Sequence, residues 1–152
     1  MENIKNKQFI FANVFIIANR LQTACEKIQT DITMKQWLML AIASSTDGIQ
    51  NLSEIGRLMG CSRQNVRKLA NPLIKKDFIR LVKGDNNSIN IIPTEKFESY
   101  SKKMEDKNLM TLNLLFENFT QSELVEACKF IGKFYEGLEK VEKYGVDLNE
   151  GK

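Results

Sequence analysis

The stretch NLSEIGRLMGCSRQNVRKLANPLIKKDFIRLV, residues 51–82, decides the fold. It reads as two helices separated by a very short break. Ser53 is placed to cap the first, whose Ile55, Leu58 and Met59 face a core; Gly60 suits the left-handed position that stops a helix, and Ser62 is placed to cap the second. Val66, Leu69, Ala70 and Leu73 then point inward, and spacings of three and four gather Arg63, Gln64, Arg67, Lys68 and Asn71 on the outer face. Pro72 breaks this grammar. It removes the donor to the Lys68 carbonyl, so the turns after it are expected to bend toward the core and the segment that follows.

Working outward, Phe78–Lys83 (FIRLVK) and Ser88–Ile92 (SINII) read as short strands joined by Gly84-Asp85-Asn86-Asn87, which is good turn chemistry, so a hairpin follows the helix pair. Upstream, Thr33 and Gln36 have capping-box spacing and open a helix, MKQWLMLAIASS, apolar around much of its circumference and therefore expected to be buried; Asp47-Gly48 ends it. Before it, Phe11, Val14, Phe15, Ala18, Leu21, Cys25 and Ile28 form one stripe of an amphipathic helix spanning about residues 6–29. After the hairpin, Thr94-Glu95 starts a helix that runs to about Phe119. Thr120 with Glu123 opens a last helix to about Lys143, whose stripe is Leu124, Ala127, Cys128, Ile131, Phe134, Tyr135, Leu138 and Val141. The tail from Gly145 is expected to fray. The fold class is thus mainly α with a small two-stranded β-hairpin, in one domain without repeats or flexible linkers.

Charge distribution says more than the net value of +3. Residues 51–84 hold eight Lys/Arg against Glu54 and Asp77, a local excess of +6, which leaves −3 for the rest of the chain. That is the footprint expected where phosphates are met. The longest apolar run, FIFANVFIIA (Phe9–Ala18), is about half a membrane span, and no small-residue cleavage site follows it, so a cytoplasmic chain without membrane contact is expected. Cys25, Cys61 and Cys128 are odd in number and widely spaced, with no CxxC and no histidine in the chain, which argues against disulfides and a zinc site. Without histidine the commonest general base is missing, and there is no phosphate-binding glycine loop. No catalytic residues, metal or cofactors are expected, and an enzyme is disfavoured.

Helix, short turn, second helix and two-stranded hairpin is the order of a winged helix-turn-helix. With long helices before and after it, the sequence resembles the MarR family of dimeric bacterial transcription regulators. The resemblance spans nearly the whole chain and rests on ITMKQWLML (32–40), LSEIGRLMGCSRQNVRKLANPLIKKDFI (52–79) and IIPTEKF (91–97). It implies a single MarR-like domain, with residues 30–93 as the winged DNA-binding part and 1–29 and 94–145 as the helical dimerisation part. The implied function is a homodimeric transcriptional repressor.

A helix fits the major groove, where its N-terminal residues reach base edges; Arg bonds guanine in two places, and Gln or Asn does so with adenine. Arg63, Gln64 and Arg67 are therefore base-edge candidates, followed by Asn65 and Asn71, while Arg57, Ser62, Lys68 and Lys75 suit phosphates. An ordinary solvated helix face is the competing reading of each residue singly; the +6 segment and the element order favour DNA. The wing departs from the family pattern, in which arginines enter the minor groove. Its tip is Gly84-Asp85-Asn86-Asn87-Ser88 with only Arg80 and Lys83 near, so Asp85 repels phosphates and contact falls to Asn86 or Asn87.

The apolar stripes of the first and last helices call for a cover. A twofold dimer would bury them and set two recognition helices about one DNA turn apart over a pseudo-palindromic operator; folding back within one chain is the alternative. The resemblance further implies a small organic effector in a crevice that here includes Leu21, Cys25, Met34 and Trp37. Cysteine-based oxidant sensing is a minor reading, because no histidine accompanies Cys25, and Cys61 and Cys128 read as small core residues. The arginine-poor wing motivates a second function class, a winged-helix protein-interaction module with weak or no DNA binding.

Overall fold

The computed structural model describes residues 2–45, 48 and 50–151. In chain order it contains α1 (Glu2–Ile28), α2 (Met34–Ala43), α3 (Leu52–Met59), α4 (Arg63–Lys75), β1 (Ile79–Lys83), a single 3-10 turn (Asp85–Asn87), β2 (Ile89–Pro93), α5 (Glu95–Leu115) and α6 (Gln121–Glu150). The chain forms two compact units, one ending at Thr111 and the other beginning at Leu112, inside α5. Among the described residues no helix is long and apolar enough to cross a membrane.

The core of the first unit joins Met39, Leu40 and Ala43 of α2, Leu52 and Ile55 of α3, Val66, Ala70 and Leu73 of α4, and Phe78, Ile79 and Ile91 of the hairpin. Each α-helix here contributes one stripe, so an all-round apolar α2 is not all-round buried. Trp37 and Leu38 stay exposed, while Gln36, Met39, Leu40 and Ala43 face in. On α3 the inward set is Leu52, Ile55 and Gly56 with Met59 partly covered, and Leu58 lies outside it, contrary to expectation.

The α3 cap also differs from the sequence reading. Asn51, not Ser53, is the N-cap, accepting from Ser53 N at 2.8 Å and Glu54 N at 3.4 Å. Asn51 is held extended because it bridges to Asn90, and Ile91 N donates to the Gln50 carbonyl at 2.8 Å, so the helix starts before Ser53 is reached. Gly60 takes the left-handed conformation (φ 67, ψ 32), and Ser62 Oγ accepts from Asn65 N at 3.2 Å, as the sequence requires.

The strands pair antiparallel, with Ile79 opposite Pro93 and Lys83 opposite Ile89. Both start one residue later than read. Phe78 N donates to the Leu73 carbonyl and Asp77 N to that of Ile74, both at 2.9 Å, with Asp77 at φ 58. This is a Schellman ending with aspartate in the left-handed position that glycine usually fills. Phe78 therefore belongs to the helix exit.

Thr94 Oγ1 accepts from Phe97 N at 3.3 Å and opens α5, which stops at Leu115, four residues before Phe119; there Phe119 N closes a turn onto the Phe116 carbonyl at 2.9 Å. Both expected capping boxes form, Thr33–Gln36 and Thr120–Glu123. The expected fraying from Gly145 does not occur. Helix α6 continues to Glu150, with Asn149 Nδ2 donating to the Gly145 carbonyl at 2.9 Å, since one glycine costs a helix only about 1 kcal/mol. α2 ends at Ala43 with Ser44 as its C-cap, ahead of Asp47-Gly48; Asp47 lies outside the described residues, and Gly48 has φ 42.

Candidate nucleic-acid interface

The buried stripe fixes how α4 is rotated. Val66, Ala70 and Leu73 are fully covered and Leu69 packs against them. At about 3.6 residues per turn, Gln64, Asn71, Lys75 and Lys68 then lie opposite that stripe, Arg63 and Arg67 occupy one shoulder, and Asn65 the other. All seven are exposed, as are Ser62 and Arg57 in the last turn of α3. Gln64 and Asn71 thus sit on the outer arc with Arg67 at its edge, while Asn65 is carried away from Arg63 and Arg67.

Among the described residues these charges meet no carboxylate. Among the described residues the ion pair within 4.0 Å is Lys129–Glu126 on α6, and no carboxylate meets Arg57, Arg63, Arg67, Lys68 or Lys75. Nor do the side chains of Gln64, Arg63, Arg67, Lys68 or Asn71 hydrogen-bond within the described chain. An exposed cation left without a carboxylate has its full field available to a phosphate. Lys76, in the same basic segment, is spent internally: its Nζ donates to the Asp31 carbonyl, and Lys96 Nζ donates to the Lys76 carbonyl at 2.7 Å.

Gly56, not singled out from the sequence, and Gln36, read there only as a capping-box residue, place this surface. A Cβ on Gly56 would lie 2.6 Å from the Cys61 carbonyl oxygen and 3.3 Å from Val66 Cγ2, so its absence is what lets α3 and the start of α4 cross this closely. Gln36, buried on α2, donates from Nε2 to the Leu69 carbonyl of α4 at 3.1 Å. The sequence signal for Gln36 was absorbed by its capping box; that for Gly56 was a small residue between apolar neighbours.

At the wing, Asp85, Asn86 and Asn87 are exposed, and the two asparagines adopt positive φ of 52 and 59, a conformation asparagine tolerates better than most residues. Their side chains stand at the tip beside an acidic group. Arg80, opposite Ile92 in the ladder, and Lys83, opposite Ile89, are exposed on β1. Arg80 also lines a cavity of about 490 Å³ with Asp77, Thr94, Glu95 and Lys96. Behind it Phe78, Phe97 and Tyr100 stack with centroids 5.1–6.2 Å apart, and burial, with the Asp31 charge second, pushes the Tyr100 phenol up.

The four effector candidates are spread over different environments. Cys25 is buried, Leu21 and Met34 half-buried and Trp37 exposed. Neither the cavity at Arg80 nor one of about 330 Å³ at Phe119, Glu123 and Phe130 is lined by them. Cys61 packs against the core as expected, but Cys128 is exposed on α6.

Solved structures share this architecture. A MarR/EmrR family transcriptional regulator from an Acinetobacter species superposes with a TM-score of 0.73 at 18% identity, over 88% of this chain and 97% of its own. The fold is that of the MarR-family regulators. A MarR protein from Peptoclostridium difficile gives 0.70 at 22% identity, over 86% of this chain and 88% of its own. An organohalide-sensing transcriptional regulator in its 2,4-dichlorophenol-bound form gives 0.70 at 13% identity, over 86% and 80%. No protein-family model and no curated protein sequence matches the chain. At these identities the shared property is the MarR-type fold, with its winged helix-turn-helix between long helices.

Proposed function

We propose that the chain is a MarR-family transcriptional regulator: a homodimer that binds a pseudo-palindromic operator in duplex DNA and represses from it until a small organic effector binds. The observation that carries this reading is the outer face of α4. It combines Arg63, Gln64, Arg67, Lys68 and Asn71, exposed and, among the described residues, with no carboxylate within 4.0 Å, on a helix whose rotation is fixed by its buried side. Gln64, Asn71, Arg63 and Arg67 are the base readers; Arg57, Ser62, Lys68 and Lys75 hold phosphates, with weaker wing contacts from Arg80, Lys83, Asn86 and Asn87.

The dimer is supported by what α1 and α6 leave uncovered. Phe11 and Phe15 on α1 and Phe130, Ile131, Phe134 and Val141 on α6 are each roughly half exposed or more. Such stripes on a soluble chain mark an interface. The dichlorophenol bound by one structural neighbour supports a hydrophobic effector, with Leu21, Cys25, Met34 and Trp37 as the side chains we assign to it.

Selection of bound fragments from random duplex DNA tests the proposal. The expected product is a site with two related halves about one helical turn apart, whose binding falls steeply with salt. Arg67→Ala should cost about 1–3 kcal/mol at one base position. Unchanged operator binding in an Arg63→Ala/Arg67→Ala double variant would refute it. Asp85 at the wing tip favours a second reading, a protein-interaction module; that reading predicts a stable protein complex and no salt-sensitive retention on DNA.

A further inference from the structure

Gln36 is a polar side chain inside an apolar core, 7% exposed, in the first turn of α2. Both ends of its carboxamide are engaged. Oε1 accepts from Thr33 N at 2.9 Å, which closes the capping box, and Nε2 donates to the Leu69 carbonyl at 3.1 Å. The capping box accounts only for the first bond, and glutamate would make it equally well. The second reaches the middle of another helix, beside the Lys68 carbonyl whose intrahelical donor Pro72 removes. On its other side the α2 terminus is held by α1: Glu26 Oε1 accepts from Met34 N at 3.1 Å and from Gln22 Nε2 at 3.3 Å. Hydrogen bonds therefore run from α1, through the start of α2, into the centre of α4.

We propose that Gln36 is a positioning residue for DNA reading, whose Nε2–Leu69 bond sets how α4 presents Gln64, Arg67 and Asn71 and ties that setting to α1. The proposal rests on the DNA-binding function above. Apolar contacts at Val66, Ala70 and Leu73 are non-directional and allow a helix to slide or roll slightly. A buried hydrogen bond is directional, and breaking it leaves the covered Nε2 donor of Gln36 unpaired, so it resists that motion. Base contacts need placement within about 0.5 Å, which packing alone does not guarantee.

Gln36→Glu isolates the second bond. The variant keeps the oxygen that caps α2, but as a carboxylate it has no donor for Leu69; protonated, it regains an O–H. Burial raises a carboxyl pKa and outweighs the opposite pull of the one cap bond from Thr33 N, which brings that protonation within reach of mild acid. The chain has no histidine, so wild type supplies the baseline from about pH 5 to about pH 7.5. Glu26 on α1, Asp31 before α2, Lys35 on α2 and Lys68 on α4 are the charged neighbours along these elements, and the wild-type profile subtracts them.

Two measurements on the full chain are needed: amide exchange across residues 66–75 without DNA, and the affinity ratio between a wild-type-selected operator and unrelated duplex. At neutral pH, Gln36→Glu should lose α4 protection and lower the ratio about tenfold, with both returning toward wild type near about pH 5. Gln36→Met, close in shape and without a donor, should stay low at every pH, and it carries the test should Gln36→Glu fail to fold. Wild-type α4 protection in Gln36→Glu at neutral pH, an unchanged affinity ratio, or losses that acid does not reverse would each overturn the proposal. If wild type prefers no duplex at all, the DNA function fails by itself, whereas acid-reversible loss of α4 protection still supports Gln36 as the anchor of that helix.

Discussion

Replacing Gly56 by alanine puts one methyl group into the crossing of α3 and α4. Its Cβ would sit 2.6 Å from the Cys61 carbonyl oxygen, 3.3 Å from Val66 Cγ2 and 3.4 Å from Arg63 N. A carbon meets a carbonyl oxygen comfortably at about 3.3 Å, so the turn must retreat by about 0.7 Å. That oxygen is backbone, at the break between the helices, and the Cys61 N–H is already bonded to the Gly56 carbonyl at 2.8 Å. Overpacking of this kind costs about 1–3 kcal/mol, from which the better helix propensity of alanine recovers up to about 1 kcal/mol. The expected net loss is about 1–2 kcal/mol in urea unfolding at fixed protein concentration, with a weaker operator complex because Ser62 and Arg63 move with the turn. Gly60→Ala is the paired control. Nothing lies within 4 Å of its added Cβ, but φ is +67, so its cost of about 1–2 kcal/mol is conformational and Gly60→Asn should recover part of it. A Gly56→Ala chain as stable as wild type, with no such rescue pattern at Gly60, would refute the claim that close approach rather than backbone conformation explains Gly56.

Ile131→Asp, on the exposed α6 stripe, should shift the chain toward monomer in sedimentation at micromolar concentration while leaving the core of the first unit folded. Asp85→Lys should strengthen binding to any duplex and steepen its salt dependence by about one to two units of slope per wing that reaches a phosphate. Glu123 is held below the usual carboxylate range first by the Thr120 backbone N–H and then by the Thr120 hydroxyl. Because its folded pKa is depressed, the contribution is present above the ordinary glutamate value and is lost as pH falls through the folded one. Protection of the amides in the first turn of α6, relative to their intrinsic exchange rates, should therefore fall in acid, an effect absent in Glu123→Gln, while the Thr33–Gln36 box of α2, which does not titrate, holds.

Much of this fold was legible because its signals are local. Gly60, Ser62 and the two capping boxes act within a few residues, and the 66–69–70–73 stripe specifies the inner face of α4 from spacing alone. The misses have different causes. Asn51 caps α3 because β2 holds it through Asn90, and nothing near Ser53 announces that. Leu58 and Trp37 look like core by type, yet a short helix packed on one side has no second face to bury. Asp77 in the left-handed position was hidden because glycine is the residue that marks such an ending. At the interface the polar set was visible and its inner face was too; the buried positions of α4 agree with that stripe and so place Asn71 beside Gln64 and turn Asn65 away.

The placement of charge has a consequence for how recognition would be divided. The end of α3 and α4 carry Arg57, Arg63, Arg67, Lys68 and Lys75, none with a carboxylate within 4.0 Å among the described residues, beside Gln64 and Asn71, whereas the wing tip offers two asparagines and an aspartate. Phosphate contacts give affinity and register but no sequence information, so a wing of arginines adds strength with little base discrimination beyond groove width. A chain that forgoes it binds more weakly overall and draws a larger share of its energy from the helix that touches bases. The geometry of α4 then has to be held more firmly than in a protein anchored at both places. A buried donor from Gln36 and a glycine crossing at Gly56, both acting on that one helix, are the kind of support such an arrangement requires.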